Sequence, residues 1–156
     1  MSETLIEVEL TIAVPPRQVW ELISDTRRYA EWVVNTDEVL SASSDVADVG
    51  VTYEERNTVA GPIKGTSSWR VDSVDPGRHT VHSGTGIVLV KWMKLELTVE
   101  PQGEGTRYVH AFRYEPALGP LGPVMNAALK PSISRDMRRT AEALKALCEA
   151  QARVAA

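Results

Sequence analysis

The sequence predicts an α+β domain: one seven-stranded antiparallel sheet, a long C-terminal helix lying across its apolar face, and two short helices between strands 1 and 2. Three features carry this prediction. The stretch "LIEVELTIAV" alternates apolar and polar residues, six further alternating runs fill residues 36–115, and an apolar stripe at helical spacing follows Pro131. Side chains repeat their direction every two residues in a strand and every 3.6 in a helix, so the change of period marks the change of element.

In the first run Ile6, Val8, Leu10, Ile12 and Val14 share a face against Glu7, Glu9 and Thr11, as in a half-buried strand, and Pro15 and Pro16 end its pairing. Pro16 suits the first turn of a helix over "RQVWELISD", whose apolar stripe is Val19, Leu22 and Ile23. Asp25 is placed to cap a second short helix, "TRRYAEW". Strands are then expected near 36–43, 49–60, 65–75, 78–85, 87–101 and 105–115. The connections "AGPIKG", "DPGR", "SGTG" and "PQGEG" are short and rich in glycine and proline, which makes the series an antiparallel meander.

In "PSISRDMRRTAEALKALCEAQ" the residues Ile133, Met137, Thr140, Leu144 and Leu147 recur at helical spacing, so residues 131–150 are expected to be helical and packed across the concave side of the sheet. Pro131 predicts a kink or a fresh helix start. This helix alone has the apolar length to cover the sheet.

At 156 residues, the chain 1–156 reads as a single domain able to bury a core. A net charge of −4 disfavours nucleic acid, and the basic residues Lys130, Arg135, Arg138 and Arg139 are broken up by Asp136 and Glu142, as on a solvated helix face. The lone Cys148 sits in an apolar helical stripe and reads as a small core residue. No apolar run reaches the ~18 residues of a membrane span, so a cytoplasmic protein without membrane insertion, monomeric or homodimeric, is expected.

His79 and His82, three apart on a strand, point to opposite faces, which predicts no metal site. The "GTG" at 84–86 has no helix after it, and no phosphate-cradling loop or nucleophile elbow occurs, so no cofactor is expected.

The inward faces of the strands supply the candidate ligand-binding residues. In "VTYEERNTV" the apolar set Val51, Tyr53 and Val59 carries Glu55 and Asn57 with it. Trp69 points inward from the next strand, and Lys91 is the one charge in the row of Leu89, Met93, Leu95, Leu97 and Val99. Lys91 either reaches the rim with its stem packed on apolar neighbours or touches the ligand. In "GTRYVHAFRYEP" the row is Tyr108, His110, Phe112 and Tyr114. His110 is read in two ways, as a neutral core histidine bonded to a tyrosine hydroxyl or water, or as a cavity residue beside Glu55 and Asn57. It is also the best candidate for a catalytic group.

The stretches "VPPRQVWELISDTRRYAEWV", "VGVTYEER", "SWRVDSVDPGRHTV" and "GTRYVHAFRYEPALGPLGPV" resemble the START-like superfamily, also called SRPBCC, and within it are most similar to the polyketide cyclase/dehydrase and lipid-transport group. The resemblance spans nearly the whole chain. It implies the helix-grip fold, a curved sheet wrapped around the C-terminal helix, with a cavity between them that takes small apolar molecules. It also implies that a polar residue at the place of His110 faces the ligand.

Three functions follow as expectations. The leading one is non-catalytic binding of a small, mostly apolar, lipid- or polyketide-like molecule. The alternative is a polyketide aromatase or cyclase in which a tyrosine or His110 moves protons, and the third is a module that binds a partner or client protein around the long helix.

Overall fold

In a computed structural model, residues 3–60 and 62–155 are described. Gly61, in the predicted connection "AGPIKG", lies outside the described residues, as do Met1, Ser2 and Ala156. Strand β1 (Thr4–Ile12) is followed by α1 (Pro16–Ile23), then by a 3-10 turn (Thr26–Arg28) that runs into α2 (Tyr29–Trp32). The meander comprises β2 (Thr36–Ala42), β3 (Thr52–Ala60), β4 (Ile63–Asp75), β5 (His79–Thr85), β6 (Val90–Gln102) and β7 (Gly105–Pro116). A second 3-10 turn (Gly119–Leu121) leads into α3 (Gly122–Ala155).

All seven strands form one antiparallel sheet in the order β1-β7-β6-β5-β4-β3-β2. The two edge strands, β1 and β2, are neighbours in sequence. Helices α1 and α2 therefore carry the chain from one edge of the sheet to the other, a longer loop over residues 43–51 joins β2 to β3, and short turns join β4 to β5, β5 to β6 and β6 to β7. Pro16 stands at the start of α1, and the Asp25 carboxylate accepts the Arg27 backbone N–H at 3.0 Å, capping the turn before α2. This is the helix-grip arrangement that the resemblance implies.

Helix α3 has 34 residues and packs against β1, β7 and α2. It begins at Gly122, well before the expected position, and runs through Pro131. The bond lost at Pro131 would have ended on the carbonyl of Ala127. Both residues lie on the exposed side of the helix, where water can satisfy that carbonyl.

The C-terminal half of α3 fills the core. Ala141, Leu144 and Cys148 are buried with Val8, Ile12, Leu97, Val99 and Tyr108 from the sheet and Val19, Leu22 and Ile23 from α1. Leu147, expected to be buried, is half-buried at the edge of this cluster. No helix among the described residues is long and apolar enough to cross a membrane.

Candidate functional site

Where the core is not filled, the N-terminal half of α3, the end of α2 and the inner face of β3–β7 enclose a cavity of about 220 Å³. Its walls are mainly apolar, with Met93, Leu95, Phe112, Ile133 and Met137 among them. The polar groups are set into this surface by strand alternation.

One wall is the β3–β4 hairpin, whose register puts Tyr53 opposite Trp69 and Glu55 opposite Ser67. The Tyr53 and Trp69 rings stack at 6.2 Å, and Trp69 stands opposite Gly84 of β5. A Cβ at Gly84 would come within 2.7 Å of the indole, so only glycine leaves room for it. The indole Nε1 donates to Ser67 Oγ at 2.9 Å, and Ser67 Oγ donates to Asn57 Oδ1 at 2.7 Å. Asn57 Nδ2 in turn donates to the Asn35 carbonyl at 3.3 Å. Glu55 is buried and accepts from Thr36 Oγ1 at 2.9 Å. Burial raises its pKa, and hydrogen bonds from neighbours, Thr36 first, oppose the rise.

Two histidines face the cavity from β5 and β7. His82 Nδ1 lies 2.7 Å from Tyr53 Oη and its Nε2 lies 3.0 Å from Thr80 Oγ1. His110 Nδ1 lies 3.1 Å from Tyr108 Oη. Burial lowers both pKa values to about 4, so both rings are neutral near pH 7. Burial holds the pKa of His110 down. His110 thus combines the two sequence readings, since it bonds a tyrosine hydroxyl and also lines the cavity.

Helix α2 contributes the third polar element. Tyr29 and Trp32 are three apart, so they share a face of the helix, and both line the cavity with rings 6.1 Å apart. Both are buried, and the Tyr29 hydroxyl and the Trp32 Nε1–H have no hydrogen-bond partner among the described residues. Residues 3–149 match the family described as polyketide cyclase / dehydrase and lipid transport. The chain belongs to this family. Toxin Rv0910 of Mycobacterium tuberculosis is 29% identical over 133 residues, covering 83% of this chain and 90% of that protein.

Among solved structures, the Zhui aromatase/cyclase from Streptomyces sp. R1128 superposes with a TM-score of 0.84 at 22% identity, over 99% of this chain and 98% of that one. The di-domain aromatase/cyclase StfQ of the steffimycin biosynthetic pathway gives a TM-score of 0.74 at 15% identity, over 96% of this chain and 52% of that one. At these identities the superpositions establish a shared START-like fold.

For this member of the polyketide cyclase/dehydrase and lipid-transport family, the structure places Tyr53, Glu55, Asn57, Trp69, Met93, His110 and Phe112 around the cavity. Three candidates lie elsewhere. A β-bulge between Val90 and Trp92 adds a residue to β6 and shifts its alternation, so Val90 and Met93 face inward and Lys91 turns out. Lys91 Nζ then lies 3.7 Å from Glu115 Oε1, with its side chain 53% exposed. A long pair whose lysine stands in solvent contributes little, so Lys91→Ala should change urea-unfolding stability by less than ~1 kcal/mol and leave binding of an apolar probe unaltered.

Tyr108 lies deeper along β7, in the filled part of the core near Cys148, and reaches the cavity only through His110. Tyr114 lies towards the other end of β7, where its hydroxyl donates to Asn126 Oδ1. Asn126 Nδ2 donates to Thr4 Oγ1 at 2.9 Å, so this tyrosine ties β7 and β1 to the start of α3.

The sequence reading missed Tyr29, Trp32 and His82 as cavity residues. The signals were the three-residue spacing within "YAEW" and the alternation of His82 with Thr80. Among the described residues no group of histidine, cysteine or carboxylate side chains could hold a metal ion.

Proposed function

We propose that the chain, as one domain over residues 1–156, binds a small, mostly apolar molecule in the cavity between β3–β7 and α3. The observation that carries this reading is the set of buried polar side chains inside an apolar cavity. Most of them are held in place by protein hydrogen bonds, and two donors are left over. Preformed apolar sites with a few fixed polar groups suit ligands of this kind. Membership of the polyketide cyclase/dehydrase and lipid-transport family supports the same reading.

A cyclase reading is supported by the likeness to the Zhui aromatase/cyclase and by His110, a neutral imidazole able to accept a proton at a cavity wall. Turnover of a poly-β-keto chain that is lost in His110→Ala would separate catalysis from binding.

The binding reading is tested by calorimetric titration with N-phenyl-1-naphthylamine. Ile133 is half-buried on the cavity side of α3, so Ile133→Trp should fill space there and weaken probe binding at least ~10-fold while the protein stays folded. Equal probe affinity in the two proteins would place the binding site outside this cavity.

A further inference from the structure

The electrostatics and the unpaired donors of the cavity restrict the chemistry of its occupant. No lysine or arginine is among the described residues that line it, while two carboxylates, Glu55 and Asp136, are. The two lining histidines are neutral near pH 7 and supply no positive charge. A carboxylate or phosphate head brought into this space would give up its hydration and find no cation in the walls, next to acidic side chains.

The hydrogen-bond inventory points the same way. The Tyr53 hydroxyl is engaged with His82 and the Trp69 indole with Ser67. The Tyr29 hydroxyl and the Trp32 N–H, on side chains at least nine-tenths buried, have no partner among the described residues. An indole N–H can only donate. The Tyr29 hydroxyl has its pKa raised by burial first and by Glu55 second, so it keeps its proton and can donate as well. Two buried donors in an apolar wall call for an acceptor, and with no cation among the described lining residues the acceptor that fits is one without net charge.

We infer that the ligand of this cavity is an electrically neutral apolar molecule with a hydroxyl or carbonyl oxygen that accepts from Tyr29 and Trp32, such as a phenol, an alcohol or a ketone. A lipid with an anionic head would find no counter-charge among the described lining residues. This inference rests on the cavity-binding reading above and adds the charge class and the anchoring residues.

The test is calorimetric titration of the full chain near neutral pH with 1-naphthol, 1-naphthoate and naphthalene. 1-Naphthol should bind at least ~10-fold more tightly than 1-naphthoate, since the anion must be desolvated without a counter-charge. Tyr29→Phe and Trp32→Phe should each weaken 1-naphthol about 2- to 10-fold, the value of one hydrogen bond, and leave naphthalene binding unchanged.

Naphthoate binding as tight as naphthol overturns the neutral-ligand assignment while leaving the cavity as the site. Naphthol affinity unchanged in both variants overturns the anchoring by Tyr29 and Trp32. A wild-type chain that binds neither naphthol nor naphthalene removes the inference together with the reading it rests on. If the variants lose naphthalene as well, the two residues shape the cavity and the donor role is overturned.

Discussion

Leu144→Ala should destabilise the domain by about 2–5 kcal/mol in urea unfolding, the usual range for truncating a fully buried leucine. Leu144 is 0% exposed in the cluster where α3 packs on the sheet, among residues with little room to move. The filled half of the core has no slack to collapse into the space left by the lost side chain, so the deletion leaves a cavity. The ligand cavity lies along the other half of α3, lined by Ile133, Asp136, Met137 and Thr140 and not by Leu144. Stability should therefore fall while the affinity of the remaining folded protein for an apolar probe stays the same. A loss under ~0.5 kcal/mol would mean that α3 is not gripped by the sheet at this position.

The fold was legible because its signals are periodic. The alternation of β1, β3 and β7 sets which side chains face inward, and each strand's paired neighbour enforces that phase. Period alone says nothing about a bulge. The inserted residue near Lys91 reverses the phase of β6 at one end, and "LVKWMK" holds no glycine or proline to mark it. The row on β7 shows a second limit. Tyr108, His110, Phe112 and Tyr114 share a face, yet only the middle two line the cavity, because a face extends along the whole strand and a cavity occupies only part of it. Where α3 fills the concave side depends on its residues far along the chain. Tyr29 and Trp32 were hidden for a related reason: a four-residue helix is too short to show a buried face by period, and their burial comes from elements far along the chain, Tyr53 and His82 against Tyr29 and α3 beside α2.

Lowering the pH from about 7.5 to 4.5 should destabilise the folded domain by about 3–5 kcal/mol, a large fraction of typical domain stability. His82 and His110 have folded pKa values of about 4, both through burial, against about 6.5 in an unfolded chain. Above pH 6.5 neither state holds these protons. Between pH 6.5 and 4 the unfolded chain binds them and the folded chain does not, so stability falls as the pH falls, by about 2.5 kcal/mol for each histidine at pH 4.5. Glu55 acts in the opposite sense. Burial raises its folded pKa, so the folded state takes up that proton first on acidification and recovers part of the loss. Carboxylates held low by partners, such as Asp25 through Arg27 and Glu149 through Lys145, are charged in both states over most of this window and add their loss only below it. Urea unfolding at several pH values should show the decline beginning near pH 6.5. Ring-proton NMR of the folded protein should show His82 and His110 still neutral at pH 5.5. His110→Asn should flatten the pH dependence by about half. Stability that stays level from pH 7.5 to 5 would mean that the two rings take up protons in the folded state at the same pH as in the unfolded chain, and that the polar wall of the cavity is open to water.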